Sequence, residues 1–239
     1  MNLFKPSAIW EGIVRIIPNI PQTLEIAAVA AVIGIVLGFL LALFRIKKIP
    51  VLSQLSTLYI SFMRGTPLLV QLFLSYYGIP VMLNILNYNF GWTFSVNDIP
   101  SMLFVFVAFS LNEAAYMAES IRAAILSVDR KDIEAAWSIG MTGGQTMRRV
   151  ILPQAMIVAI PNLGNSLISL LKSTSLAFTI GVMDMMGKAK VVAGNNMRYF
   201  EVYIGLALLY WPMCIIIEFI VHKLEKRFNI LDREVQQND

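Results

Sequence analysis

Residues 26–44 read IAAVAAVIGIVLGFLLALF, nineteen residues without a charge, and Arg45, Lys47, Lys48 and Pro50 follow at once. An α-helix rises about 1.5 Å per residue, so about 20 apolar residues cross a hydrocarbon layer roughly 30 Å thick. The run predicts a transmembrane helix. Its basic end predicts a cytoplasmic exit, because Lys and Arg collect on the cytoplasmic side of membrane proteins.

Four more stretches of similar length follow, at residues 52–78, 99–121, 150–171 and 202–221. Ahead of the first span, residues 1–20 hold Lys5, Glu11 and Arg15 singly, with Trp10 and Pro18, and predict a short amphipathic helix at the interface. No basic segment directly precedes the apolar run, so a secretory signal is not expected. The expected organisation is an interfacial segment at 1–20, a transmembrane domain at 21–222 and a cytoplasmic tail at 223–239. Stretches outside the spans reach only roughly 20 to 30 residues, too short for a second stable domain.

Composition agrees. Of 239 residues, 57% are apolar and 14% charged, against about 25% charged in an ordinary soluble domain, and the mean hydropathy is +0.69. A transmembrane β-barrel would show shorter, alternating segments. The single cysteine, Cys214, rules out an intramolecular disulfide, and with His222 as the one histidine there is no Cys/His metal cluster. No metal, haem or thiol chemistry is expected. The net charge of +4 reads as topology and not as nucleic-acid binding.

Five spans put the termini on opposite sides. No Lys or Arg stands between Gly65 and Ile121, so the loop at 79–98 is expected outside. Cytoplasmic segments would then hold Arg45, Lys47, Lys48, Arg122, Arg130, Lys131, Arg148, Arg149, Lys223, Lys226, Arg227 and Arg233. The outside keeps Lys5, Arg15, Lys188, Lys190 and Arg198, a ratio of 12 to 5. The expected fold is an all-α membrane protein with five transmembrane helices, its N-terminus outside and its C-terminus inside.

The segment 122–154 is too polar for a span and reads as a stiff elbow: a helix at 129–139 capped by Asp129, a turn at Gly140, and a helix at 142–152. A plain connector would need only a few residues. Within it, Glu134, Ala135 and Ala136 precede Gly140, and Leu152-Pro153 comes after eleven more residues, with Val150 just before. Elsewhere stand Arg64-Gly65-Thr66-Pro67-Leu68 with Gln71, Ala115-Tyr116 with Glu119 and Arg122, Pro153-Gln154-Ala155, and Lys172 with Thr174-Ser175-Leu176.

These blocks resemble, in order, the EAA signature and flanking motifs of permease subunits of ABC importers, in the polar amino-acid branch. Lys131-Asp132 departs from the Gly-Gln usual there. The resemblance implies a type I importer-like fold in which the elbow is a coupling helix, with Glu134, Ala135, Ala136 and Gly140 meeting a separate ATP-binding subunit. Small residues at 135 and 136 would allow close approach, and Glu134 could make a charge-assisted hydrogen bond. It further implies two ATP-binding subunits carrying ATP and magnesium, a second permease chain, identical or related, and an extracytoplasmic substrate-binding protein. This chain would hold no cofactor and perform no bond chemistry. Its nearest phosphate-loop match, at 181–188, has five residues between the glycines and Ala189 where Ser or Thr should follow. Blocks 111–116 and 138–142 look most like members that carry cystine or related sulfur amino acids.

Charges within spans cost roughly 2.5 to 3.5 kcal/mol each and ask for a partner or a water-filled path. Arg64 would lie about 18 Å into span two and Glu113 about 21 Å into span three, counted from opposite sides. Either Arg64 pairs with Glu113 or Glu119, or these groups line a substrate path. Asn112, Tyr116 and Glu119 share a stripe, and Glu119 stands three residues from Arg122, a spacing for local pairing. Lys172 with Ser173, Thr174 and Ser175 either holds a carboxylate or snorkels to the headgroups. Pro161, Asn162, Gly164, Asn165, Ser166 and Ser169 make span four too interrupted for a lipid-facing helix, so it is expected to line the path. The alternative is a self-sufficient proton-coupled secondary transporter using Glu113 or Glu119. That reading leaves the elbow unexplained, and five spans do not divide into equal inverted repeats.

Overall fold

The most extensive helix contact in the chain joins α2 (Ile20–Ile46) to α5 (Ser101–Leu126), and small side chains make it. Ile26, Ala30, Gly34, Gly38 and Ala42 recur every fourth residue along α2, and all are buried. A methyl group added at Gly38 would lie 2.7 Å from the Met117 Cβ, 2.9 Å from the Ala118 N and 3.0 Å from the Ala114 O. The backbone of α5 therefore rests on the bare face of α2. At Gly34 the added carbon would meet Glu113 Cβ and Cγ at 2.9 Å. Helices in lipid gain little from hiding apolar surface, so close packing of small residues is what holds them together.

The computed structural model describes residues 4–95 and 98–236, with side chains through residue 228. Residues 1–3 of the expected interfacial segment, 96 and 97 of the expected outer loop, 237–239 of the expected tail, and the side chain of Arg233 lie outside the described residues. All regular elements among the described residues are helical. Five helices are long and apolar enough to cross a membrane: Pro6–Ile46, Leu68–Phe90, Ser101–Leu126, Gly143–Ile180 and Tyr199–Phe228.

The number of spans is as expected, but the second is displaced. Residues 52–78 are not one helix: α3 (Leu52–Gly65) and α4 (Leu68–Phe90) are separated at Thr66 and Pro67. Proline lacks an N–H and disfavours helical backbone at the residue before it, and Thr66 is extended, at φ −118° and ψ 146°. The crossing helix α4 consequently takes in residues 79–90, which were expected in the outer loop.

Both pieces lie along α5. The Tyr59 hydroxyl of α3 donates to the Leu111 carbonyl at 2.6 Å, and Ile60 packs with Ala115 and Ala118. From α4, Ser75 donates to the Phe104 carbonyl at 3.1 Å, and Leu72 joins Phe104, Val105 and Ala108. The break thus falls beside the middle of α5.

The N-terminal segment is helical, as α1 (Pro6–Ile16), and runs through a short 3-10 turn into α2. It does more than lie at an interface. Ala8, Gly12 and Ile16 are buried, a methyl at Gly12 would touch Val202 of α10 (Tyr199–Gln236) at 3.4 Å, and the Lys5 N–H donates to Glu201 Oε1 at 3.0 Å. After α5 come α6 (Arg130–Ser138), the single turn α7 (Gly143–Thr146), α8 (Leu152–Ser173), a 3-10 turn at Thr174–Ile180, and α9 (Met185–Asn196).

Replacing Gly38 by Val should push α2 off α5 and lower stability by about 1–3 kcal/mol, the usual effect of overpacking. A reduced thermal midpoint for G38V in detergent would show it. V36L, on the exposed side of α2, should be unchanged.

Candidate functional site

A helix break inside a bilayer leaves carbonyls that need donors, and Gln71 supplies them. Its Nε2 donates to the Met63 carbonyl at 2.8 Å, to the Thr66 carbonyl at 3.1 Å and to Thr66 Oγ1 at 2.8 Å. Its Oε1 accepts from Asn112 Nδ2 at 2.9 Å. One buried amide therefore closes the end of α3, starts α4 and fixes a side chain of α5.

Beside this latch opens a cavity of about 500 Å³. The break contributes Thr66, Pro67 and Leu68, α5 contributes Asn112, Glu113 and Tyr116, and α8 contributes Asn165, Ser166, Ser169, Leu170 and Ser173. Glu113 is only 5% exposed, and its Oε1 has no hydrogen-bond partner among the described residues. The Arg64 guanidinium sits 5.7 Å from the centroid of the Tyr116 ring, a cation–π arrangement. Small polar groups from three helices, a buried carboxylate and a broken helix are what a site for a small polar solute requires.

Asn112, Glu113, Tyr116 and Asn165 thus come together, with Arg64 behind Tyr116. The ion pair of Arg64 with Glu113 or Glu119, one of the two alternatives, is absent among the described residues. Glu119 instead pairs with Arg122, at the local spacing expected, and with Arg45 of α2. It ties α2 to α5 near the elbow and does not line the cavity. Asn162 donates to the Val158 carbonyl of its own helix at 2.9 Å.

Lys172 and Ser175 line a different cavity, with Met186, Tyr203 and Tyr210. The hydroxyls near Lys172 are spent inside the helix: Ser173 donates to Ser169, Thr174 to Leu171 and Ser175 to Lys172, at 2.9, 2.7 and 2.8 Å. Of the two alternatives for Lys172, a carboxylate cradle or snorkelling to the headgroups, the cradle would lack these hydroxyl protons, which are already committed. Sequence reasoning passed over Gln71 as the latch and Thr66-Pro67 as cavity wall. A proline inside a supposed 27-residue span was the available signal.

At the elbow, Asp129 caps α6 by accepting the Lys131 N–H at 3.0 Å. Gly140, at φ +83°, ends it: the Gly140 N–H reaches the Trp137 carbonyl at 2.9 Å and the Met141 N–H the Ala136 carbonyl at 3.0 Å. Only glycine adopts that backbone without strain. Thr142 and Gln145 then form a capping box.

The expected second helix is not separate. It runs through a π-helical turn at Met147–Ile151 straight into α8. Asp132, the departure from the Gly-Gln pattern, accepts from Gln154 Nε2 at 2.9 Å and so fastens α6 to α8. Ile133 packs under the elbow with Val128, Ile151 and Ala155. Glu134 and Ala135 are exposed, but Ala136 is 4% exposed and packs into its own chain, so the expected close approach at 136 is internal. Trp137 and Ile139, both exposed, stand beside Glu134 and Ala135 and were not foreseen.

The chain matches the model of a family described as "Binding-protein-dependent transport system inner membrane component" over residues 34–230. It is 49% identical over 195 residues to the "Probable amino-acid ABC transporter permease protein PatM" of Vibrio harveyi, covering 82% of this chain and 83% of that one. It is 41% identical over 224 residues to the L-cystine transport system permease protein TcyL of Bacillus subtilis (strain 168), covering 94% and 91%. Among solved structures, a chain of an amino acid ABC transporter crystallised with histidines superposes with a TM-score of 0.80 at 34% identity, covering 94% of this chain and 99% of that one.

Glu119→Gln should leave two guanidinium groups short of a carboxylate and lower stability by about 1–3 kcal/mol, read as a reduced thermal midpoint in detergent. Loss of transport with an unchanged midpoint would contradict a structural role for Glu119.

Proposed function

Because the chain belongs to the family of binding-protein-dependent transport system inner membrane components, the permeases of ABC importers, we propose that it passes a polar amino acid through the cavity beside Gln71. The chain is a multi-pass cell-membrane protein, and such permeases work with an ATP-binding subunit and a substrate-binding protein. The relatives named for amino acids, TcyL for L-cystine among them, support an amino acid as cargo, with cystine or a related sulfur amino acid as the first candidate.

The observation that carries this reading is mechanical. The helix from Gly143 to Ile180 is continuous; its near end carries the elbow, and further along it holds Asn165, Ser166, Ser169 and Ser173 in the cavity. A push on α6 and α7 is therefore delivered to the cavity wall. The exposed face of α6 and its C-cap, with Glu134, Ala135, Trp137 and Ile139, sits in a groove of the ATP-binding subunit, and Gly140 holds the turn. The substrate path includes Arg64, Asn112, Glu113, Tyr116 and Asn165. Asn162, Lys172, Thr174 and Ser175, of the same helix and the turn after it, stand outside the central cavity.

Two permease chains, identical or related, face each other, and two ATP-binding subunits bind ATP and magnesium. An external binding protein delivers the amino acid. The elbow faces the cytoplasm, a reading supported by twelve basic residues on that side against five, with the N-terminus outside and the C-terminus inside. ATP binding closes the two ATP-binding subunits, which draws the elbows together and opens the cavity outward; hydrolysis reverses the movement. This chain breaks no bond itself and binds no nucleic acid. A proton-driven transporter using Glu113 would leave the exposed elbow without a purpose.

In vesicles carrying the assembled transporter, Glu134→Lys and Gly140→Val should insert normally but abolish ATP-driven amino-acid uptake and weaken retention of the ATP-binding subunit. Valine at a left-handed position costs about 1–2 kcal/mol. Normal uptake by both variants would remove the coupling assignment. Glu113→Gln should change uptake while leaving that retention intact; loss of assembly alone would make Glu113 structural.

A further inference from the structure

Glu218 stands in the apolar stretch Ile215, Ile216, Ile217, Phe219, Ile220 and Val221 of α10, within a span, and is exposed on the single chain. It makes no ion pair or hydrogen bond among the described residues. An ionised carboxylate facing lipid is costly, so this face meets water or protein.

The surroundings are polar too. Glu218 lines a cavity of about 190 Å³ between α8 and α10 with Asn165, Ile168, His222 and Glu225, and His222 Nδ1 approaches Glu225 Oε2 at 3.4 Å. The two helices are pinned together at its edge, where a methyl on Gly164 would lie 2.6 Å from Val221. Asn165 lines this cavity and the central one. Along α8 the two are offset by about one turn, ~6 Å, and the smaller lies toward the elbow.

We propose that the cleft lined by Asn165, Glu218, His222 and Glu225 is a second station on the transport path, which receives the ammonium group of the amino acid after it leaves the central cavity. This rests on the reading of the central cavity as the substrate path. From Glu113 to Glu218 and Glu225 the route presents carboxylates in succession, and among the described residues no Lys or Arg lines either cavity, Arg64 standing behind the Tyr116 ring. Such a lining concentrates cations and repels anions. The substrate class is accordingly an amino acid with a free ammonium and no net negative charge, not an acidic one.

The test uses the assembled transporter in membrane vesicles, with a single cysteine in place of Ile168 on a Cys214→Ser background. Cationic aminoethyl and anionic sulfonatoethyl methanethiosulfonates are the probes. The cationic reagent should react ~10-fold faster than the anionic one, and adding Glu218→Gln should bring that ratio toward one. No reaction at 168, while a cysteine in place of exposed Lys226 reacts, would mean that lipid or protein covers the cleft, and would overturn the proposal. A ratio that Glu218→Gln leaves unchanged would overturn it as well. ATP-driven uptake by the unmodified transporter is measured in parallel, so failure of the amino-acid reading would appear there and not in the labelling.

Discussion

Contact between the bare face of α2 and the backbone of α5 is the constraint on which the remaining structure depends. With Gly34 and Gly38 seated against Glu113, Ala114, Met117 and Ala118, these two helices have one lateral position, and α5 becomes the post on which α3, α4 and α8 are arranged. The same contact sets the Glu113 Cβ and Cγ against Gly34, and Glu113 also lines the cavity. At the elbow end the pair is closed by Glu119 between Arg45 and Arg122. Small residues bring the backbones together, and charges tie off the end.

A chain so closely packed can still hold a polar cavity because the polar cost of the helix break is met locally. Gln71 satisfies the loose carbonyls of Met63 and Thr66 and holds Asn112, so the break is fixed in place and its wall is pre-formed. The helix that lines the opposite side of the cavity begins in the elbow. Cavity wall and elbow therefore share one continuous helix.

The spans were legible wherever apolar residues ran unbroken to a charge, as in 26–44, and so was the elbow, where Asp129 and Gly140 are local signals that the backbone obeyed. Span two was misplaced because hydropathy averages over Thr66-Pro67, whereas the backbone responds to the one residue without an N–H. Charge partners were harder to foresee. Arg45 and Glu119 lie 74 positions apart and meet only because α2 and α5 pack closely, and Arg64 found the ring of Tyr116 in place of a carboxylate. Ser173, Thr174 and Ser175 looked available in one dimension, yet in a helix each hydroxyl has a carbonyl of an earlier residue within reach. Glu218 was overlooked inside a run of isoleucines, although a lone carboxylate there is itself a signal.

On the proposed function, the elbow is a joint to another protein. The most direct measurement is to purify the tagged chain from its native membranes in mild detergent and identify what co-elutes by mass spectrometry. A stoichiometric ATP-binding subunit is the predicted result. A chain that elutes alone, and still drives uptake after reconstitution without ATP, would contradict it.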